Sequence, residues 1–275
     1  SSIKYKYINR ILMGGMHMEQ KPLVVVNGLV RKDAIAYLKE HVEVRQWTEK
    51  TVMPRETLKE WLIDADGLWC VRPLDVDGDL VKNAPNLKVI AQAAVGYDNV
   101  NIDELTAAGI PYGNTPGVLN ETVAELAFTL IATASRRILE NANFVKEGRW
   151  AQRPSNIKGF DLSRRTLGII GMGAIGVSIS RRARAFGMTV VYHNRNQRID
   201  DKIHKTTYME LDDLLATSDV VCVMAPLTDE TYHMCDEAFF KKMKNTALFV
   251  NVGRGPIVDT DALINALKTG EIDYA

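Results

Sequence analysis

The segment Thr166-Leu-Gly-Ile-Ile-Gly-Met-Gly-Ala-Ile-Gly176 spaces Gly171, Gly173 and Gly176 as G-x-G-x-x-G, between a strand-like apolar run and a helical pattern. The first glycine permits a tight turn, the second lets a pyrophosphate approach the backbone, and the third lets helix and strand pack closely. Amides of the first helical turn, those of Ala174 and Ile175 among them, then meet the phosphates with the positive end of the helix dipole. The chemistry expected is dinucleotide binding. Alone the triplet is a weak motif, because glycines gather in any turn. Here the preceding strand, the helix from Ala174 to Phe186 and a second strand Thr189-Val-Val-Tyr-His193 all fall where a βαβ unit needs them. At the end of that second strand a carboxylate would bind the ribose hydroxyls and repel a 2′-phosphate, but the chain has Asn194-Arg195-Asn196-Gln197-Arg198. An arginine can pair with that phosphate, so NADP(H) is the expected coenzyme and NAD(H) the alternative. The plainer reading is that Arg195 and Arg198 solvate a loop.

The elements that must hold such a loop are legible around it. Apolar β-like runs alternate with helical patterns, the signature of parallel sheets with crossover helices. Strands are expected at 23–27, 67–71, 87–92, 166–171, 189–193, 219–225 and 246–252. Pro54 opens a helix whose apolar positions Leu58, Trp61 and Leu62 share a face. The turn-forming cluster Asn114-Thr-Pro-Gly117 marks a boundary, and a long helix begins close to Asn120. In that helix Val123, Leu126, Ala127, Leu130, Ile131, Ala134 and Ile138 are expected to line one buried face that bridges or buttresses two domains. The division expected is therefore 1–20 as an extension outside the alternating pattern, 21–115 as a first α/β domain and 116–275 as a dinucleotide-binding Rossmann domain. Residues Ser1 to Gln20 show little pattern and contain Met13, Met16 and Met18, which suggests an early start codon or a loose arm.

Composition bounds the class. With 275 residues, 46% of them hydrophobic, the chain can bury two moderate cores. Thirty-four basic residues balance thirty-four acidic ones, so no net field draws the molecule to nucleic acid or an anionic membrane. No apolar run approaches a membrane span and no secretory signal is visible, so a cytoplasmic protein is expected. Cys70, Cys222 and Cys235 are odd in number and far apart, which favours buried thiols over a disulfide or metal framework.

Beyond these readings, five stretches occur in one order: Leu87-Lys-Val-Ile-Ala-Gln-Ala-Ala-Val-Gly-Tyr-Asp-Asn-Val100, Asn120-Glu-Thr-Val-Ala-Glu-Leu126, the glycine loop, Ala225-Pro-Leu-Thr-Asp-Glu-Thr231 and Asn251-Val-Gly-Arg-Gly-Pro-Ile-Val-Asp259. In this the chain resembles the D-isomer-specific 2-hydroxyacid dehydrogenase family from about Lys21 onward, and within it the bacterial glyoxylate/hydroxypyruvate reductases, also called 2-ketogluconate reductases. The resemblance implies a flavodoxin-like substrate domain joined to a doubly wound Rossmann domain. It implies NADPH-dependent reduction of a small 2-keto acid (glyoxylate, hydroxypyruvate or 2-ketogluconate) to the D-2-hydroxy acid, and a homodimer.

The resemblance also implies roles residue by residue. Val95 and Gly96 match the loop whose amides hold the substrate carboxylate. Thr122 matches a coenzyme contact at the head of the linking helix; Ala225, Pro226 and Thr231 match the loop beside the riboses, and Val252 and Gly253, in the turn before the active-site arginine, match further coenzyme-binding positions. That arginine is matched by Arg254, whose guanidinium would grip a keto acid and meet charge developing on its oxygen. Arg72, after the strand 67–71, departs from the apolar character usual there, and is read either as a contact to a larger anionic substrate or as a strand-end surface charge. In the family a histidine held by a glutamate, both downstream of the arginine, supplies the proton. The sequence reaches Ala275 without them, so that acid and the last part of the Rossmann sheet are expected to be missing, a loss that typically costs roughly 10²–10⁴-fold in rate. His193, His204 and His233 are read as ordinary packing or surface histidines. The rival readings are a non-catalytic nucleotide-sensing or interaction module and an inactive truncated product.

Overall fold

The computed structural model describes residues 21–71, 74–151 and 157–275. The proposed arm 1–20 and the candidate Arg72 lie outside the described residues. The chain divides into two compact units, the first ending at Asn114 and the second running from Thr115 to Ala275.

The first unit contains five strands, β1 (Leu23–Val26), β2 (Glu43–Gln46), β3 (Gly67–Cys70), β4 (Val89–Gln92) and β5 (Tyr112–Gly113). All pair in parallel in the order β2-β1-β3-β4-β5. This is the flavodoxin-like order, with a switch point between β1 and β3. Central β3 is almost wholly buried, and its Leu68 packs with Val25, Leu58, Leu62, Leu80 and Ile90. Pro54 caps the helix Arg55–Leu62, where its fixed φ suits the first turn, and Leu58 and Leu62 face the core while Trp61 is only partly buried.

In the second unit the strands are β6 (Thr166–Ile170), β7 (Thr189–His193), β8 (Thr207–Tyr208), β9 (Val220–Val223) and β10 (Leu248–Asn251). They too are parallel, in the order β10-β9-β6-β7-β8, which is the Rossmann order read from its other edge. Buried on both faces, β9 reads Val-Val-Cys-Val without alternation. After the helix Thr260–Thr269, ended by Gly270 at φ 76°, the chain returns to the sheet. There Phe249 N–H donates to the Tyr274 carbonyl at 2.8 Å, and Tyr274 bridges Leu248 in parallel. Residues at that edge occupy the position of a sixth strand.

Two expectations need correction. The strands β2, β5 and β8 were not expected: β2 is a polar Glu-Val-Arg-Gln edge and the other two span two residues each, so none carries an apolar run. The long helix, Asn120–Ser135, buries a face rotated from the expected one, made of Ala124, Ala127, Phe128, Ile131 and Ser135. Leu126 and Leu130 are exposed, and Ile138 belongs to the next helix, Ile138–Lys146, after a left-handed break at Arg137. The small Ala124 and Ala127 share a core with Ile179 and Ala183 of the helix Ala174–Ala185, so the two helices approach through side chains of low volume. The helix thus buttresses the second unit with its alanine face, and its leucines look away. Among the described residues no helix is long and apolar enough to cross a membrane.

Candidate functional site

Register decides which loops meet. Ile170, the last residue of β6, pairs with His193 on one side and Val223 on the other, and Val223 pairs with Asn251. The segments leaving β6, β7, β9 and β10 therefore start at one level of one sheet edge, and the switch point of this sheet falls between β6 and β9. Crevices of this kind, outside the carboxyl ends of the strands, are where open α/β sheets bind ligands.

A cleft of about 520 Å³ opens there, lined by Gly171, Met172 and Gly173 from β6, His193 to Asn196 from β7, and Met224, Ala225, Pro226, Thr228, Glu230, Thr231 and Met234 from β9. Gly171 has φ +98°, and a Cβ there would lie 2.6 Å from the amide nitrogen of Ala225, so only glycine lets the loops after β6 and β9 touch. A Cβ on Gly173 would meet nothing, so this face of the loop is open to a ligand. Gly173 is the N-cap of the helix Ala174–Ala185 and offers no side-chain cap, which leaves amides of the first turn, at Ala174, Ile175 and Gly176, for an anion. Gly176, inside that turn, sits about 3.2 Å from the Gly171 carbonyl by its hypothetical Cβ, close enough to bring helix onto strand. The donor set and the open backbone fit a pyrophosphate.

After β7, Asn194 Oδ1 accepts the Met172 N–H at 2.6 Å, tying the second loop to the glycine turn. Arg198 is already committed: it holds Asp200 through two bonds of 2.7 Å and donates to the Met172 carbonyl at 2.9 Å. That pairing, helped by His204 at 3.1 Å, holds the Asp200 carboxyl well below its ordinary value, at about 2. The plainer reading, that Arg195 and Arg198 both merely solvate a loop, does not hold for Arg198. Arg198 builds the loop, whereas Arg195 is exposed on the rim of the cleft.

The loop after β9 is stiffened by its threonines. Thr231 Oγ1 donates to the Pro226 carbonyl at 2.7 Å and accepts the Thr228 N–H at 2.8 Å, and Thr228 Oγ1 donates to Glu230 at 2.7 Å. After β10, Val252 N–H donates to the Val223 carbonyl, and Gly253 N–H donates to Asn251 Oδ1. A Cβ on Gly253 would lie 2.8 Å from the Ala225 carbonyl, so Gly253 presses against the cleft wall without lining it. Arg254 follows, half-buried, with Nη1 donating to the Gly253 carbonyl at 3.2 Å. Neither Val252 nor Arg254 lines the cleft, and Thr122, exposed in the first turn of the helix Asn120–Ser135, does not line it either.

His193 lines the cleft, with Nδ1 at 2.9 Å from the Met209 carbonyl. The carbonyl assigns the proton to Nδ1 and ties the ring to the adjoining loop. His233 stacks on Tyr232 with ring centroids 4.1 Å apart. The three cysteines are free and buried, and burial pushes each thiol up to about 12.

In the first unit, Val95 and Gly96 follow β4. Asn114 Nδ2 donates to the Val95 carbonyl at 2.8 Å and Gln92 Nε2 to the Gly96 carbonyl at 2.7 Å. Gln92 is buried and is itself held by Asn99. Both carbonyls are thus occupied by side chains, which fixes the peptide planes while the Val95 and Gly96 amides make no bond to a described backbone carbonyl. Gln92, Asn114, Thr228 and Glu230 were not anticipated. Their only signal was position, at strand ends and inside the motif stretches.

Fold and cleft define a two-unit α/β protein of the dinucleotide-binding class. Residues 128–275 match the family model described as "D-isomer specific 2-hydroxyacid dehydrogenase, NAD binding domain". A glyoxylate reductase from Thermococcus gammatolerans is 42% identical over 258 residues, covering 92% of this chain and 77% of the relative. A crystal structure of an NADPH-dependent glyoxylate/hydroxypyruvate reductase from Sinorhizobium meliloti, in complex with NADP and malonate, superposes with TM-score 0.81 at 29% identity, over 92% of this chain and 77% of that one. A D-lactate dehydrogenase from Aquifex aeolicus, complexed with NAD and lactic acid, gives TM-score 0.80 at 30% identity, over 91% and 74%. The chain belongs to the D-isomer specific 2-hydroxyacid dehydrogenase family, NAD(P)-dependent oxidoreductases that act on CH–OH groups. Relatives solved with NADP and with NAD are about equally similar, so the family alone does not choose the coenzyme.

Proposed function

We propose that the protein is built to reduce a small 2-keto acid of the glyoxylate or hydroxypyruvate type to the D-2-hydroxy acid, with NADPH preferred over NADH. The observation that carries the coenzyme preference is the rim of the cleft: an exposed Arg195, and Asn194 where a ribose-binding carboxylate would stand. A guanidinium there pairs with a 2′-phosphate, and Asn194 lacks the charge that would repel it. Gly171, Gly173, Ala174, Ile175 and Gly176 take the pyrophosphate, and Ala225, Pro226 and Thr231 wall the riboses. The coenzyme, when bound, supplies the hydride. In the same reading the substrate domain is the first unit, where the Val95 and Gly96 amides hold the substrate carboxylate, and Arg254 stabilises negative charge on the keto oxygen. Thr122, Val252 and Gly253 are assigned as further coenzyme-binding residues, as the family resemblance implies.

The test is direct binding of NADPH and NADH by calorimetry to the protein and to Arg195→Ala. A hydrogen-bonded contact between charged groups is worth about 1.5 kcal/mol at the low end, which is roughly a 10-fold loss of NADPH affinity in the variant with NADH unchanged. Equal affinities for NADPH in the two proteins would reject the assignment. We also infer a homodimer, supported by the apolar side chains of Leu126, Leu130, Ile138 and Leu139, which are exposed on consecutive helices of the coenzyme unit.

A further inference from the structure

We propose that Glu230 sets the limit of the coenzyme preference: its carboxylate, fixed on the β9 side of the cleft, opposes the 2′-phosphate that Arg195 attracts from the β7 side. The inference rests on the NADPH reading above and adds to it a residue that weakens the preference. Strands β7 and β9 flank β6 directly, and their last residues pair with the same Ile170. The loops that carry Arg195 and Glu230 therefore rise on opposite sides of the glycine turn, and both residues line the one cleft formed there.

Glu230 is exposed, and a hydrogen bond draws its carboxylate toward the β9 loop. Thr228 Oγ1 donates to one carboxylate oxygen at 2.7 Å, and Thr228 is locked by its N–H bond to Thr231 Oγ1, which in turn donates to Pro226. This chain of bonds makes Thr228 a positioning residue for a negative charge. The bond from Thr228, with a smaller contribution from the charge of Arg195, keeps the Glu230 carboxyl below its ordinary range, so it is ionised wherever the coenzyme is handled. A dianionic phosphate entering between Arg195 and Glu230 meets one attractive and one repulsive charge, whereas the hydroxyl of NADH meets neither strongly. The site is consequently tuned to a modest preference rather than exclusion of NADH.

The experiment measures Kd for NADPH and NADH with the unaltered chain, Glu230→Gln, Glu230→Lys and Arg195→Ala, at low and high salt. Removing a unit charge several ångströms from a dianion across solvent predicts NADPH binding tighter by about 3- to 10-fold in Glu230→Gln, with NADH changed less than about 2-fold. Glu230→Lys should gain more, and the gains should shrink at about 1 M salt, where screening acts within roughly 3 Å. An unchanged NADPH affinity in both Glu230 variants, or an equal change for both coenzymes, overturns the proposal. Should Arg195→Ala leave NADPH affinity intact, the underlying NADPH reading fails instead. Urea midpoints equal to that of the unaltered chain certify that each variant is folded.

Discussion

Replacing Gly173 and Gly171 one at a time by alanine separates binding from folding within a single turn. At Gly173 the backbone has φ −87°, an ordinary value for an L residue, and an added Cβ meets no atom within 4 Å. Its stability cost is therefore confined to the weaker N-cap propensity of alanine, about 1 kcal/mol or less. The new methyl nevertheless stands where a pyrophosphate must approach the backbone, and a loss of at least roughly 10-fold in NADPH affinity is expected. At Gly171 two penalties combine: φ of +98°, and backbone atoms of Met224 and Ala225 at 2.7 and 2.6 Å from the added Cβ. Strain of about 1–3 kcal/mol and overpacking of about 1–3 kcal/mol give roughly 2–6 kcal/mol in total. With a urea slope of about 1–3 kcal/mol/M, the unfolding midpoint of the second unit should fall by roughly 2 M. Urea unfolding followed by far-UV circular dichroism reads the stability, and calorimetric titration with NADPH reads the binding. Normal NADPH affinity in Gly173→Ala would refute the reasoning, because the coenzyme would then not lie on this turn.

Acid stability should carry the signature of the loop after β7. The Asp200 carboxyl titrates at about 2 in the folded protein against an ordinary 3.8, so its stabilisation is complete above the unfolded value and is lost as pH falls through that window toward 2. Asp200→Asn should flatten the decline of melting temperature between those pH values; the same slope in both proteins would remove Asp200 from the account. Association through the exposed leucine face should give a dimer by sedimentation velocity at micromolar protein, and Leu126→Glu with Leu130→Glu should yield a monomer. A monomer in the unaltered chain would reject the interface.

What the chain reveals of its fold, and what it hides, follows from where each element is buried. Buried strands such as β6 and β9 announce themselves because burial on both faces demands an unbroken apolar run. The glycine turn is equally legible, since Gly171 is required by its positive φ and by contacts only a missing Cβ permits, and Gly176 sits where a Cβ would be tight against the strand. Edge strands β2, β5 and β8 carry no such signature; their conformation comes from pairing with β1, β4 and β7, which is a property of the assembled sheet. The long helix Asn120–Ser135 is apolar on more than one face, so periodicity located the helix without naming the side that packs.

Sequence alone determined the class of chemistry, because residue type and spacing in the five motif stretches reflect local demands: a tight turn, open amides, a cation at a strand end. Tertiary structure decided which of two similar arginines is available. Arg198 and Arg195 are equivalent as letters, but Asp200 and the Met172 carbonyl engage the first and leave the second on the rim of the cleft. It also placed Glu230 across that cleft and put Gln92 and Asn114 behind the Val95–Gly96 turn. The pairing of Arg198 with Met172 and the facing of Arg195 and Glu230 relate loops far apart in the chain, and only the register of parallel strands brings them to one edge.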